Sequence, residues 1–242
     1  MQSAIFEIGK HLTENNWNVR VITNRYPRIL KSYETISSLK IKRYTFLTSP
    51  ILYLHSGRID LFFAWLFFKP VTLIRLTIDF IRFKPKIVNL HFPDHQLLEC
   101  CLLMFLFQFK LIISLHGDEV ERMRKLKKSN FKYHFYNHLF NSAICITGCS
   151  QYLLDQFDLV FPHLNRNKYI LLHNGVNEKF IEQTLFCEKN EYIFTAARFV
   201  PKKGIELLFE ATRQVTRRHL FIAGADENDL LDSGLKKIDD II

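Results

Sequence analysis

The chain has few cysteines, and none of the spacings that would join them into a structural site. Its 242 residues include five cysteines, an odd number, and most of them sit in apolar runs. This pattern is typical of buried thiols in a reducing compartment and does not fit a disulfide framework. Cys145 and Cys149 are close in sequence, but no Cys/His pair at zinc-site spacing accompanies them, so we expect no metal site.

The chain also lacks the apolar segments that target or anchor a protein. Met1–Glu7 has no basic start followed by an apolar core, so it indicates no signal peptide. Leu61–Phe83 and Gln96–Leu115 resemble membrane spans, but both contain charged residues, and a spanning helix needs about 20 mostly apolar, uncharged residues. We expect buried helices, broken at Pro70, and a strand instead. Together with the cysteines, this favours a cytoplasmic location.

The net charge of +9 is unevenly placed along the chain. Residues 1–165 contain 21 Lys/Arg and 12 Asp/Glu, whereas residues 166–242 contain 12 of each. A basic first region favours an anionic partner, such as a phosphorylated acceptor, an acidic membrane surface or nucleic acid. A charge of this size is also consistent with a role in solubility alone.

Strand and helix patterns alternate from one end of the chain to the other. Short apolar strands at 86–91, 111–115 and 143–147 are separated by helical segments, which predicts an α/β fold with doubly wound parallel sheets. The strand pattern restarts at Tyr169, close to the point where the charge balance changes. We therefore predict two domains, residues 1–165 and residues 166–242.

A cationic loop lies between a predicted strand at Tyr192–Thr195 and an amphipathic helix that starts at Gly204. It places Arg198 and Lys203 at the carboxyl end of a strand and beside a helix N-terminus, where doubly wound folds bind anions. Arg198 can hold a phosphate through two hydrogen bonds, and Lys203 adds a point charge. A solvated basic turn is the other interpretation of this loop.

Two further loops follow predicted strands. In His116-Gly117-Asp118, the histidine can hydrogen-bond a sugar hydroxyl or take part in proton transfer, and the glycine permits close approach of a ligand. Asn174-Gly175 marks a tight turn. Taken alone, neither loop identifies a function.

Together these segments resemble the retaining glycosyltransferases of family 4, which have the GT-B fold of two Rossmann-like domains. The resemblance runs in matching order from about Ser3 to Gly234. It rests on six segments that are similar to the family patterns KPDIVHAH, HGxD, ADxVxxVS, IPNGVD, GRLVPEKGxxxLLEA and LxIAG. In this chain they are residues 84–91, 115–118, the strand before Ser150, 172–177, 197–211 and 219–224.

The resemblance implies transfer of a hexose-type sugar, with retention, from a nucleotide-diphosphate sugar to a glycan or lipid-linked acceptor, as in polysaccharide biosynthesis. It implies that Arg198 and Lys203 bind the donor diphosphate and that the catalytic residue His116 contacts the transferred sugar. It assigns further residues to donor or sugar loops: Gly117, Asp118, Asn174, Gly175 and Gly224. No metal or other cofactor is implied. The first domain would bind the acceptor and the second the nucleotide sugar.

The two ends of the chain depart from the family pattern. A family member begins with a strand and a Gly-Gly loop, whereas Gly9 and Gly57 are the only glycines before Gly117. The acidic E-x7-E segment of the family would lie beyond Ile242. We therefore expect a first domain that lacks its central first strand, a second domain that is cut short, and little or no transferase activity from this fragment alone.

Other functions stay open at this stage. A basic module without catalysis would use the cluster Arg122–Lys128 to bind an anionic membrane or nucleic acid. No nucleic-acid signature accompanies the cluster, so nucleic acid is not the expected partner. Peripheral attachment to the inner face of a membrane is compatible with sugar transfer. A GT-B relative such as a sugar epimerase, or an inactive subunit of a complete partner, is also compatible with the sequence.

Overall fold

A computed structural model describes residues 3–27, 29–47, 57–127, 129–175, 192–197, 199–215 and 219–224. The chain divides into two compact units, Met1–Asn177 and Glu178–Ile242. Helices alternate with strands, and the strands form mainly parallel sheets. The predicted α/β class with parallel sheets is confirmed.

In the first unit, the strands are β1 (Arg20–Asn24), β2 (Tyr33–Ile36), β3 (Leu39–Tyr44), β4 (Ile87–His91), β5 (Lys110–Leu115), β6 (Cys145–Gly148) and β7 (Tyr169–Leu171). Its α-helices are α1 (Ser3–Glu14), α2 (Ile59–Phe83), α3 (Leu97–Leu106), α4 (Asp118–Arg124), α5 (Phe131–Ser142) and α6 (Gln151–Val160), and a short 3-10 helix covers Arg166–Lys168. The second unit contains β8 (Tyr192–Ala196), a 3-10 helix (Pro201–Lys203), α7 (Ile205–Val215) and β9 (His219–Ala223).

A three-stranded sheet in the order β1-β3-β2 opens the first unit. Strands β1 and β3 are parallel, whereas β2 and β3 form an antiparallel hairpin. Ser37 and Ser38 make its tight turn with positive φ angles of 46° and 66°. The sequence analysis did not identify β2, because two serines are a weak signal for a turn that favours Asn and Gly.

The second sheet of this unit is fully parallel, in the order β4-β5-β6-β7. The larger hydrophobic core lies against this sheet and includes side chains from α3, α4, α5 and α6. Leu111 and Ile113 of β5 are fully buried, as are Phe140 of α5 and Phe157 of α6. This core fixes the carboxyl ends of β4, β5 and β6 relative to one another, and those ends form the candidate site.

The two units divide after Asn177, whereas the sequence interpretation placed the boundary after Asn165. The difference arises because β7 pairs with β6, with Ile146 opposite Tyr169 and Gly148 opposite Leu171. The strand at which the pattern restarts is therefore the last strand of the first unit. The assignment of one domain to the acceptor and the other to the donor stays a prediction.

Helix α2 is continuous through Pro70, although the sequence predicted a break there. Tertiary contacts hold the helix on both sides of the proline, since Lys69 and Thr72 are buried and hydrogen-bonded to neighbouring elements. By length and composition alone, α2 could cross a membrane. Its most apolar 18-residue window is only 17% buried, so the expectation of a buried helix was wrong for this segment.

Among the described strands, β1 and β4 each pair with a neighbour on one side only. Both contribute to a second, smaller core, because Ile22 of β1 and Val88 of β4 pack against the same buried cluster. That cluster consists of Tyr44, Leu76, Phe80 and Leu103. The prediction that the first domain lacks a central strand stays a prediction.

Candidate functional site

His116 follows the carboxyl end of β5, directly before helix α4. Gly117 is the residue that precedes the helix and has a φ of 127°, a conformation that favours glycine. The helix begins at Asp118, so only the first part of the predicted loop is a loop. The buried Glu119 accepts a hydrogen bond from the backbone N–H of His116, which fixes the loop against the helix.

His91, at the end of the neighbouring strand β4, is the main partner of His116. Nδ1 of His91 and Nε2 of His116 are 3.0 Å apart, so the N–H of one ring donates a hydrogen bond to the ring nitrogen of the other. The ring of Phe92 stacks on the imidazole of His116, with 4.0 Å between the ring centroids. The imidazole of His116 is thus held from two sides.

Burial keeps both imidazoles in the neutral form. Desolvation, together with the nearby His116, lowers the pKa of His91 to about 4. Desolvation also lowers the pKa of His116, and the carboxylate of Glu119 opposes this shift in part. Near pH 7 the pair is therefore uncharged and is suited to hydrogen bonding with neutral groups.

A row of polar side chains crosses the sheet close to the two histidines. The hydroxyl of Thr147 on β6 donates to Oγ of Ser114 on β5 at 3.0 Å, and Ser114 donates to Oδ1 of Asn89 on β4 at 2.9 Å. Ser114 and Thr147 are buried. Because each hydroxyl has a partner inside the protein, the row stabilises the relative positions of the three strand ends.

A cavity of about 290 Å³ borders the His116 loop. The residues that line it come from the end of β5, from α4 and from the start of α6: His116, Gly117, Val120, Glu121, Arg124, Cys149, Ser150, Tyr152, Leu153 and Gln156. Ser150 forms the N-cap of α6, because its hydroxyl oxygen accepts from the N–H of Leu153 at 3.2 Å. The cavity therefore joins a neutral histidine, a cation and a helix N-terminus.

The segment after β7, in which the sequence predicts a tight turn, lies next to one wall of this cavity. Nδ1 of His173 is 3.1 Å from the carbonyl oxygen of Cys149, and the N–H of Leu172 donates to the carbonyl of Gly148. Asn174 and Gly175 follow and are exposed. The structure thus brings the His116 loop and the residues directly before Asn174-Gly175 to one edge of the sheet.

In the second unit, the cationic loop lies between strand β8 and helix α7, in the strand–loop–helix order that the sequence predicted. Strands β8 and β9 are parallel, and the N–H of Ala197 donates to the carbonyl of Ala223 at 3.0 Å. Lys203 is exposed and precedes Gly204, whose φ is 63°. Helix α7 begins at the next residue, and its first backbone N–H groups are the kind of donors that bind anions. Arg198 lies outside the described residues.

Gly224 follows β9 and lies against the end of β8. Its φ is 100°, and a Cβ atom there would lie 2.6 Å from the carbonyl oxygen of Ala197. A side chain at this position would therefore collide with backbone. The role of Gly224 in the donor site stays a prediction, as do the roles of Lys203 and Arg198.

The basic cluster Arg122–Lys128 is partly compensated by acidic side chains. Arg122 forms an ion pair with Asp94 at 3.3 Å, and Lys125 pairs with Glu121 at 3.4 Å. The Lys125–Glu121 pair is exposed and therefore weak, whereas the Asp94 side chain of the other pair is largely buried, and both pairs reduce the local positive potential. In the part of the chain that the structure describes, no three His, Cys, Asp or Glu side chains come together as a candidate metal site.

The sequence analysis identified His116 but missed most of the residues that surround it. His91, Phe92 and Glu119 contact His116, and Arg124 and Ser150 line the same cavity. His91 had a usable signal, because it ends the strand that precedes β5 in a parallel sheet. Adjacent parallel strands end at the same edge, so two terminal histidines are expected to meet there.

The sequence profile described as Glycosyltransferase Family 4 matches residues 1–180 of the chain. An uncharacterized glycosyltransferase of Methanocaldococcus jannaschii is 27% identical over 104 residues, which make up 43% of this chain and 27% of that protein. The chain therefore spans about a quarter of the length of this curated relative.

Sucrose-phosphate synthase from Thermosynechococcus elongatus is similar in structure with a TM-score of 0.46 and 11% identity. The match covers 75% of this chain and 89% of that one. A likeness of this size supports no further argument.

Proposed function

The chain belongs to glycosyltransferase family 4, and from this premise we propose that it takes part in moving a hexose-type sugar from a nucleotide-diphosphate sugar to a glycan or lipid-linked acceptor, with retention. The observation that supports this best is the fixed, neutral His116 at the edge of a cavity. The first unit would hold the acceptor and the transferred sugar, and the second unit the donor diphosphate.

His116 would bind a sugar hydroxyl close to the reacting carbon. Its Nε2 is engaged by His91, so Nδ1 is the ring nitrogen that we propose for the substrate. A neutral imidazole donates or accepts one hydrogen bond without adding charge, which suits a hydroxyl group. His91 and Phe92 would act as positioning residues, because they hold the ring and do not need to contact the sugar.

Lys203, together with Arg198, would bind the donor diphosphate. When the bond between the anomeric carbon and the diphosphate oxygen breaks, the electron pair and its negative charge remain on the leaving diphosphate. Two cations and the N-terminus of α7 would stabilise that charge most strongly as it develops, which is how such groups accelerate a reaction. These proposed contacts use side chains and backbone N–H groups and involve no metal.

Titration with nucleoside diphosphates tests the donor half of this proposal. We expect the chain to bind at least one of UDP, GDP, ADP and dTDP in calorimetry. Arg198→Ala and Lys203→Ala should each weaken binding by roughly tenfold or more, because each removes a charge-assisted hydrogen bond to phosphate. Arg213→Ala is the matched control, since Arg213 is a cation in the last turn of α7, away from the loop.

Two results would contradict the proposal. One is that no nucleoside diphosphate binds. The other is that both loop variants bind as tightly as the Arg213→Ala control. Product analysis with the tightest-binding nucleotide sugar then separates transfer or hydrolysis from epimerisation, because only an epimerase would return an intact nucleotide sugar with altered stereochemistry.

A further inference from the structure

Helix α2 exposes an apolar face, whereas its inward face buries Lys69, Thr72 and Asp79 beside Leu76 and Phe80. Its outer face forms an apolar stripe, defined as Phe63, Leu66, Phe67, Ile74, Ile78 and Ile81, each between 41% and 67% exposed. These residues recur at helical spacing and therefore lie on one side of the helix. The helix has 25 residues, so the stripe runs along an element of roughly 37 Å.

The inward face explains why the helix does not turn its apolar side toward the core. Nζ of Lys69 lies 2.8 Å from Oε1 of the buried Glu99. The hydroxyl of Thr72 donates to the carbonyl oxygen of Thr45 at 3.1 Å. Rotation of the helix would leave these buried polar groups without partners, which is strongly unfavourable.

Asp79 anchors the second half of the helix in the same way. It accepts hydrogen bonds from Lys42 and from the hydroxyl of Tyr44, and Arg20 lies 3.7 Å away. Burial raises the pKa of Asp79, but the hydrogen bonds from Lys42 and Tyr44 outweigh this effect, so the carboxyl group stays charged. Rotational position is therefore fixed along the length of α2, and the apolar stripe is held facing outward.

Cations accompany the apolar stripe. Arg75 and Arg82, about two turns apart, lie on one flank of it, and both are exposed. Lys84 ends the helix in a left-handed conformation, and Lys86 follows, also exposed. An apolar face beside cations complements a surface that has both an apolar interior and anionic groups.

We propose that the outward face of α2 docks on an anionic lipid bilayer, with the helix lying in the plane of the interface. The apolar stripe would enter the boundary between headgroups and acyl chains, and Arg75 and Arg82 would meet the anionic headgroups. The helix lies on the bilayer and does not cross it, because crossing would remove Lys69 and Asp79 from their buried partners. A second copy would present a face with the same cations, which complements this surface less well than anionic headgroups do.

Vesicle sedimentation tests this surface with the whole chain. We expect binding to vesicles of phosphatidylcholine mixed with phosphatidylglycerol, and much weaker binding to pure phosphatidylcholine. The double variant Phe63→Ser/Phe67→Ser should lower the partition coefficient by about a hundredfold. Arg75→Gln/Arg82→Gln should lower it roughly thirtyfold on the mixed vesicles alone. Phe131→Ser/Leu159→Ser is the matched control, because both residues are exposed on other helices.

A tryptophan reporter locates the contact even if a serine variant folds poorly. Phe67→Trp should be quenched by lipids with brominated acyl chains, whereas Leu159→Trp, the exposed control position on α6, should show no added quenching. The proposal is wrong if the chain does not bind mixed vesicles, or if Phe63→Ser/Phe67→Ser binds like the control. It is also wrong if the wild type is a dimer that this variant dissociates and neither binds vesicles, since a second copy then covers the stripe.

Discussion

The candidate sites of the two units are built in different ways. In the first unit, side chains define the site: His91, Phe92 and Glu119 hold His116 through a hydrogen bond, a ring stack and a backbone contact. In the second unit, backbone defines it, through the left-handed Gly204, the close approach at Gly224 and the start of α7. The first arrangement favours a neutral ligand group, and the second favours an anion.

This difference determines which substitutions each candidate site tolerates. A site made of packed side chains is sensitive to substitution of residues that never contact the ligand, because they set the orientation of the one that does. A site made of backbone is sensitive at glycines, where a side chain changes the path of the chain. Three predictions follow from the contrast, beginning with the largest expected effect.

Replacing His116 should affect sugar transfer and leave nucleotide binding unchanged. We expect His116→Ala to lower the rate of donor turnover by about a hundredfold, because a positioned hydrogen bond to the reacting sugar is lost. The affinity for the nucleoside diphosphate should not change, because we propose that the second unit holds the diphosphate. Because little transferase activity is expected from this chain alone, the rate is measured as slow hydrolysis of the nucleotide sugar at high chain concentration, and calorimetry measures the affinity.

His138→Ala is the matched control, since His138 is an exposed histidine of the same unit. Equal rates for His116→Ala and His138→Ala would remove His116 from the site. A loss of nucleotide affinity in His116→Ala alone would show that diphosphate binding is not confined to the second unit as proposed.

The half-buried histidine pair should make the stability of the first unit depend on pH. The pKa of His91 is about 4 in the folded chain and about 6.5 in the unfolded chain, so the unfolded state binds more protons between these values. Stability is therefore highest, as far as His91 is concerned, above about pH 6.5, and the free energy of unfolding falls as the pH drops toward 4. Between about pH 7 and pH 5 we expect a loss of about 2 kcal/mol in the free energy of unfolding.

Denaturant unfolding of the wild type and of His91→Gln at both pH values measures how much of the lost stability is due to His91. The variant cannot gain the proton, so its stability should fall less over the same pH range than that of the wild type. His138→Gln serves as the exposed control and should follow the wild type. A parallel pH dependence in all three proteins would mean that His91 does not titrate as a buried group.

The close backbone approach at Gly224 gives the smallest of the three effects. Gly224→Ala should destabilise the second unit by about 1.5 kcal/mol, because the added Cβ would meet the carbonyl of Ala197 at a positive φ. Gly175→Ala is the control, since a Cβ there has no heavy atom within 4 Å. Hydrogen exchange in β8 and β9 measures the change, and equal exchange in the two variants would contradict it.

The candidate site could be predicted only where a residue has a local sequence signal. His116 and Lys203 stand out because each follows a strand and adjoins a glycine, and this context is visible in one short segment. His91 is 25 positions from His116 and meets it only through the pairing of β4 with β5. Arg124 lines the cavity because of where α4 points, which no local pattern specifies.

The fold likewise contains elements that a local sequence pattern predicts and elements that it does not. Helix α1, Ser3–Glu14, can be predicted from its own residues, because its apolar spacing and polar ends are local features. The sequence also predicted the strand–loop–helix order of the second unit. It missed β2, because the two serines of its tight turn are a weak turn signal, and it predicted a break in α2 at Pro70, where tertiary contacts outweigh local propensity.

By itself, the sequence determined the α/β class, the order of most strands and helices, and the membership of family 4, since periodicity and short motifs are properties of contiguous residues. Only the tertiary structure decided that β7 belongs to the parallel sheet of the first unit, that His91 and His116 share a hydrogen bond, and that α2 turns its apolar stripe outward. Each of these depends on contacts between residues far apart in the chain. Their free energies are set by burial and by the pairing of polar groups, and neither is visible in the local pattern.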